Sequence, residues 1–208
     1  QPHGQVDELL VDWKGDINQP GSFTARGKAH DIGWLAHDAG INPDSGHPMP
    51  GMPGLQGAAL EFELGSQGGQ LKVNIDKGYA EFPGVFEEPR LPFDTLQAQL
   101  RWTVEGEKIR LEVPDIRFAN ADLKGHARIG WHTLDDAATA QARFPGVMDL
   151  EGTLQQVRAE RVVRYLPLVL GHDARTYVKN AIRSGDVRNA TVRIQGDLNH
   201  VPFGPDAK

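Results

Sequence analysis

The side chains that could act as nucleophiles form no recognisable catalytic pattern in this chain. None of the serines, Ser45 and Ser66 among them, stands in the G-x-S-x-G turn that presents a hydrolase nucleophile. Ser184 lies at the end of a predicted helix and is therefore a helix-terminus residue rather than a nucleophile. The chain has no cysteine, which excludes thiol nucleophiles, thiolate zinc sites and disulfides. We therefore expect no catalytic residues and no enzymatic activity.

Metal-ligand and phosphate-binding patterns are also missing from the sequence. His37, Asp38 and His47 share one stretch, but no H-x-x-x-H or H-x-H spacing supports a metal site. No Walker-type or G-x-G-x-x-G loop occurs, and Pro53 within Gly51-Met52-Pro53-Gly54 lacks the amide that a phosphate cradle would use. We expect neither a metal nor a cofactor.

Composition points to a turn-rich β protein that does not bind nucleic acid. The chain has 208 residues, 39% of them apolar, with 24 glycines and 14 prolines. Its net charge of −6 and the lack of a long Lys/Arg run argue against a nucleic-acid surface. No apolar run approaches the roughly 20 residues of a membrane span, and no signal peptide is visible. We expect a single β-rich segment over residues 1–208.

Period-two alternation is the dominant pattern and predicts antiparallel strands with one apolar and one polar face. In residues 69–76, Leu71, Val73 and Ile75 alternate with polar residues. Further alternating segments span residues 23–30, 60–64, 96–104, 108–113, 122–131, 148–154 and 192–198. Trp13, Trp102 and Trp131 fall on apolar faces. Between the strands, a long loop is predicted around 31–54.

One amphipathic helix is predicted near the C-terminal end, at about 174–184. Its apolar stripe comprises Ala174, Tyr177, Val178, Ala181 and Ile182. This helix can cover only part of the apolar surface that so many strands present. The sheet therefore closes into a sandwich or barrel, packs against other parts of a longer chain, or curls into an open groove for an apolar ligand. Alternation alone is compatible with all three.

About forty residues near the C-terminal end, from Arg164 to Phe203, resemble a known family. Arg164-Tyr165-Leu166-Pro167 precedes a helix that carries Arg175, Tyr177 and Ala181, and Gly185 follows it. A strand with Gly196 and then Pro202-Phe203 come next. This order of motifs resembles the YhdP branch of the AsmA-like proteins, in which Trp-Leu is usual where Tyr177-Val178 stand here. The resemblance implies structural roles for these motif residues.

The resemblance also implies a fold and a function. Such proteins are elongated Gram-negative envelope proteins, anchored in the inner membrane, whose curled antiparallel sheet forms a groove or half-barrel. They support phospholipid transport to the outer membrane and outer-membrane integrity. This chain would be an internal, periplasmic segment. Its partners would be phospholipid acyl chains, the remaining segments of the same long chain, and the membranes at the ends of the full-length protein.

On this interpretation, the acyl chains lie on the apolar face of the sheet. The candidate groove residues are Leu60, Phe62, Leu71, Val73, Ile75, Leu100, Trp102, Ile109, Leu111, Val113, Ile129 and Trp131. The alternative is a structural or assembly module of the cell envelope with a closed β core and no lipid cargo. An envelope hydrolase is the least favoured function, because nothing in the sequence supplies a nucleophile or a metal cage.

Overall fold

Eleven strands, one α-helix and one 3₁₀ segment make up the described part of the computed structural model. It describes residues 2–16, 19–38, 40–41, 49–134, 143–168, 170–182, 185–187 and 189–198. The strands are β1 (His3–Asp16), β2 (Gln19–Trp34), β3 (Gly54–Gly65), β4 (Gly68–Glu81), β5 (Arg90–Glu105), β6 (Lys108–Ala119), β7 (Lys124–His132), β8 (Val147–Gln155), β9 (Val157–Arg158), β10 (Asp186–Val187) and β11 (Ala190–Asp197). The 3₁₀ segment is Ala159–Tyr165 and the helix α1 is His172–Ala181.

Nine of these strands form one open antiparallel sheet. Its order is β1-β2-β3-β4-β5-β6-β7-β8-β11, so the first eight strands are neighbours both in sequence and in space. Tight turns make this possible. One of them contains Gly106, at φ 61, a left-handed conformation that glycine adopts without steric cost. The prediction of a mainly β, antiparallel, curled sheet is confirmed.

Apolar residues and glycines share one face of this sheet in rows that run across the strands. Directly paired residues of an antiparallel sheet point to the same face, so the register defines each row. The first row comprises Val11, Ala25, Leu64, Gly69, Trp102, Leu111, Trp131, Met148 and Gly196. The second comprises Val6, Ala29, Leu60, Val73, Ala98, Ile116, Ala127, Gly152 and Val192. Both rows cross all nine strands without a polar residue.

Two further rows extend this face. One comprises Ile32, Ala58, Ile75, Leu96, Phe118, Gly125, Leu154 and Ala190. The other comprises Leu9, Gly27, Phe62, Leu71 and Leu100, and then Val113, Ile129, Leu150 and Ile194. A bulge in the β5–β6 pairing separates its two parts. We call these four rows together the apolar face.

The opposite face carries charges that pair between neighbouring strands. Lys72 Nζ lies 3.3 Å from Glu61 Oε2, and Arg101 Nη2 lies 3.2 Å from Glu112 Oε2. The Glu151 carboxylate accepts hydrogen bonds from Arg128 at 2.5 Å and from Arg193 at 3.0 Å, which joins β7, β8 and β11. The sheet therefore has the one dry and one wet face that alternation predicts.

The predicted boundaries of the loop and of the helix need correction. The loop expected around 31–54 is shorter, because β2 continues to Trp34 and β3 begins at Gly54. The helix expected at 174–184 begins two residues earlier, at His172, and ends at Ala181. Ser184 lies outside the described residues. Within the loop, His37 pairs with Met52 through backbone hydrogen bonds of 3.0 and 2.8 Å.

The helix was expected to cover part of the sheet with its apolar stripe, but only Val178 and Ile182 of that stripe are half-buried. Tyr177 is 75% exposed, and Ala174 and Ala181 on the same side are exposed as well. The side of α1 that packs inward carries Arg175, whose Nη1 lies 3.2 Å from Glu87 Oε2, and Val178. An ion pair thus joins the helix to the β4–β5 connection, and α1 packs against the 3₁₀ segment rather than across the sheet.

The best-buried apolar cluster lies at one end of the sheet. There, β9, the 3₁₀ segment and α1 form a cap over the β4–β5 connection and the β6–β7 turn. Its buried residues include Leu91, Leu123, Val157 and Ala159. The Leu168 amide donates to the Val85 carbonyl at 2.8 Å, which fixes the cap on the connection.

Candidate functional site

The apolar face has no second layer over it in the part of the chain that the structure describes. Only nine apolar residues are buried there, and Ala29, Ala58, Ala80 and Ala159 are among them. At the edge, Val6 is 63% exposed and Leu9 is 57% exposed. A closed sandwich of this length would bury many large side chains instead. The described sheet is therefore open, and the apolar face is its candidate site.

The residues predicted to line a groove all lie on the apolar side of the sheet, though their exposure differs. Most are half-buried and present part of their side chain to the open side. Those are Leu60, Phe62, Leu71, Val73, Leu100, Trp102, Ile109, Leu111, Ile129 and Trp131. Ile75 and Val113 are only 2% and 5% exposed, so their neighbours cover them and leave little surface for a ligand.

Aromatic rings lie across glycines of the neighbouring strand at three places on this face. Phe62 lies over Gly27, Trp102 over Gly69 and Phe118 over Gly125. A Cβ at Gly125 would stand 2.8 Å from Phe118 Cζ, so the ring occupies the space that a side chain would fill. The missing side chains let the rings lie low against the sheet, which flattens the surface.

The candidate residues predicted from sequence did not include the two ends of the apolar face. In β1 these are Val6, Leu9 and Val11, and in β11 Val192 and Ile194. Register shifts near Gly4 and before Glu8 disturb alternation in β1, where Leu9-Leu10-Val11 reads as a continuous apolar run. In β11 the alternation was visible. The register that connects it to β8 was the missing information.

The family-motif residues gather at the cap, around a buried carboxylate. Asp122 is 7% exposed and accepts hydrogen bonds from Arg164 at 3.2 Å and from the Tyr165 hydroxyl at 3.1 Å. Asn120 Nδ2 donates to the same hydroxyl at 3.0 Å. Burial raises the pKa of Tyr165. This network ties the 3₁₀ segment to the β6–β7 turn.

The remaining motif residues have backbone roles or lie elsewhere. The Leu166 amide donates to the Val163 carbonyl, and Pro167 bridges to Phe86. The Gly185 carbonyl accepts from the Ala159 amide at 2.9 Å. Gly196 belongs to the first row of the apolar face. Pro202 and Phe203 lie outside the described residues.

The described residues contain neither a membrane-spanning helix nor a metal-ligand cluster. No helix there is both long and apolar enough to span a bilayer. No group of three or more His, Asp or Glu side chains there is close enough to hold a metal ion. His37 lies in the loop next to Met52, and His47 is outside the described residues.

Comparison with known proteins identifies the family. The family model described as YhdP protein matches residues 1–207. No curated protein and no solved structure matches the chain. Because the match spans almost the whole sequence, this chain belongs to the YhdP family, which is associated with lipid transport in the cell envelope.

Proposed function

We propose that this chain forms a segment of a hydrophobic groove that carries phospholipid acyl chains across the periplasm, between the inner and outer membranes. The observation that carries the proposal is the apolar face, which crosses nine strands with no polar residue in its rows. Transport of this kind would support the integrity of the outer membrane. The full-length protein would be anchored in the inner membrane.

The dimensions of the apolar face suit acyl chains. Eight steps between nine strands, at about 4.8 Å each, give a length of about 38 Å. Four rows spaced two residues apart along the strands give a width of about 20 Å. A phospholipid tail can therefore lie within the rows while its head group stays in water on the open side.

The mechanism is passive retention and sliding. Burial of a methylene group contributes about 0.8 kcal/mol, so a tail that contacts the face along its length is held against escape into water. The rings over Gly27, Gly69 and Gly125 fill the space that side chains at those glycines would occupy, which keeps the wall low at these three places. Neighbouring positions therefore hold a tail about equally well. No catalytic step is needed, and the proposed role is non-enzymatic.

The test places a carboxylate on one face or the other at adjacent positions of β4. Val73→Asp puts a charge in the second apolar row, whereas Asn74→Asp puts it on the polar face. Both proteins and the parent are purified, and native mass spectrometry with lipid extraction measures bound phospholipid. We expect Val73→Asp to lose most of the bound phospholipid and Asn74→Asp to retain it. Circular dichroism checks that each variant folds.

Two outcomes would contradict the proposed function. In the first, the folded parent carries no phospholipid and takes up none when it is added. In the second, lipid binds equally to the parent, Val73→Asp and Asn74→Asp. The first result favours a structural or assembly module without lipid cargo, and the second indicates that lipid binds away from the apolar face.

A further inference from the structure

A polar recess of about 700 Å³ lies beside the cap, and no residue of the apolar rows lines it. It forms where the β6–β7 turn meets the end of β8, β9 and the residue before β11. Its lining residues are Asn120, Ala121, Leu123, Lys124, Gln155, Gln156, Arg158 and Asn189. Lys124 pairs with Gln155 in the β7–β8 register, next to the Gly125–Leu154 pair of the apolar face. Both side chains therefore belong to the polar face.

The chemistry of this lining is unusual for so acidic a chain. The net charge of the chain is −6, yet the recess contains two cations, Lys124 and Arg158, and no carboxylate. Its other polar groups are the carboxamides of Asn120, Gln155, Gln156 and Asn189. Cations and amide donors together suit an oxyanion that also carries hydroxyl groups.

Most of these polar groups are available to a ligand. Within the described part of the chain, Lys124, Gln155, Gln156 and Asn189 make no hydrogen bond or ion pair through their side chains. Arg158 Nη2 and Nε lie 3.1 and 3.2 Å from Glu160 Oε1, so the charge of Arg158 is paired with a carboxylate outside the lining and a ligand phosphate would have to share it. The Asn120 amide already donates hydrogen bonds to the Pro92 carbonyl and the Tyr165 hydroxyl, so we assign Asn120 a structural role in the wall of the recess.

The backbone at this recess is held in conformations that side chains disfavour. Gln156 has φ 54 and Asn189 has φ 61, two of the four non-glycine residues with positive φ among those described. Such conformations persist where the surrounding structure holds them, and they concentrate at ligand sites. Here, they turn the chain on both sides of the recess.

A second recess of about 380 Å³ adjoins the first. The two share Lys124 and Gln155, and the second adds the cation Arg117 beside Phe118 and Gly125 of the apolar face. Arg117 lies 2.9 Å from Asp115 Oδ2, which partly neutralises it. Lys124 is thus central to both recesses.

We propose that this recess binds the phosphate group of a small polyol phosphoester, such as a glycerol phosphate unit. Lys124 and Arg158 bind the phosphate oxygens, and the carboxamides of Gln155, Gln156 and Asn189 bind the hydroxyl groups. The same chemistry occurs in a soluble phosphoester and in a lipid head group. The site is separate from the apolar face, so it does not depend on the proposed function.

The test is isothermal titration calorimetry of the folded chain with glycerol 3-phosphate at low ionic strength. Glycerol, which lacks the phosphate group, is the control ligand. Loss of a charge-assisted hydrogen bond weakens binding by about tenfold, so we expect that loss for Lys124→Gln and for Arg158→Gln. Lys179→Gln, on the exposed side of α1, removes the same charge elsewhere and is expected to leave the affinity unchanged. Amide chemical shifts of the parent protein locate the ligand independently of the variants.

The proposal is overturned if glycerol 3-phosphate neither releases heat nor shifts the amides around Lys124 and Gln156. It is also overturned if Lys124→Gln and Lys179→Gln bind equally well. Vesicles then distinguish the source of the phosphate. Binding to phosphatidylglycerol vesicles that Lys124→Gln abolishes supports a lipid head group, whereas binding to glycerol 3-phosphate alone supports a soluble phosphoester.

Discussion

At the scale of single residues, the apolar face depends on glycines as much as on aromatic rings. Each ring over a glycine belongs to a directly paired position, as in Phe118 and Gly125. Glycine normally weakens a strand because it contributes no side chain. Here, the neighbouring ring supplies the missing contact, and the glycine keeps the ring low. Alternation could not predict this pairing of ring and glycine, because glycine is neither apolar nor polar in the pattern.

Gly125→Ala and Gly152→Ala test this pairing on adjacent strands of the same face. A Cβ at Gly125 would lie 2.8 Å from both Phe118 Cζ and the Thr153 carbonyl oxygen, whereas at Gly152 the nearest atoms are at 3.6 Å. We expect Gly125→Ala to lower the free energy of unfolding by about 1–3 kcal/mol. Gly152→Ala is expected to be neutral or slightly stabilising. Urea unfolding followed by circular dichroism measures both, and equal losses would contradict the ring-on-glycine account.

At the scale of elements, two attachments hold the C-terminal part of the chain to the sheet. One is β11, which among the described strands lies at the edge of the main sheet and pairs there with β8 alone. Arg193 of β11 and Arg128 of β7 both donate hydrogen bonds to Glu151 of β8, which lies between them. The other is the cap, which Asp122 holds through Arg164 and Tyr165. Each attachment rests on a carboxylate with more than one partner.

Glu151→Gln tests the attachment of β11 through its pH dependence. The hydrogen bonds from Arg128 and Arg193 lower the pKa of Glu151. Their contribution is therefore present above the ordinary glutamate pKa of about 4.3 and is lost as pH falls through the lower folded value. We expect Glu151→Gln to reduce stability at pH 7 and to flatten the acid-induced loss.

Hydrogen exchange of the β11 amides, followed between about pH 3 and pH 7, measures this effect. Glu112→Gln is the matched control, because Glu112 pairs with the single arginine Arg101 between two interior strands. Equal effects of the two substitutions on β11 would show that Glu151 does not anchor this strand.

Tyr165→Phe tests the attachment of the cap. The substitution removes the hydroxyl that bonds to Asn120 and Asp122 and keeps the ring. We expect a loss of about 1–2 kcal/mol in the free energy of unfolding. Tyr177→Phe removes a hydroxyl from a side chain that is 75% exposed, and we expect no measurable change. Thermal unfolding and limited proteolysis of the cap compare the two, and similar stabilities would contradict the proposed anchoring.

At the scale of the whole molecule, the sequence predicts the faces of the sheet better than it predicts their covering. Period-two alternation places Leu71, Val73 and Trp102 on the same side, and the register confirms it. Alternation describes direction and not exposure, which is why Ile75 and Leu71 look alike in the sequence and differ in burial.

The regions that escaped prediction are those where tertiary contacts override the local pattern. The contacts of α1 include the ion pair of Arg175 with Glu87, which is 88 residues away in sequence. The apolar stripe of Tyr177 and Ala181 gave no sign of this contact. Similarly, the polar recess brings together Lys124, Gln156 and Asn189. These residues are distant in sequence and become neighbours because they lie at or beside the ends of three paired strands. Contacts between residues so far apart in sequence produce no periodic pattern that the sequence alone could reveal.

The uncovered apolar face also affects how freely the sequence can change. A close-packed core penalises a change of shape, because side chains from two layers interdigitate. On a single open sheet, Leu71 or Leu111 faces no opposing layer within the described residues, so the constraint is on apolar character more than on shape. Isoleucine, valine or methionine would preserve the wall at such positions. Relatives of this chain are therefore expected to diverge in residue identity while they keep the alternation of apolar and polar positions.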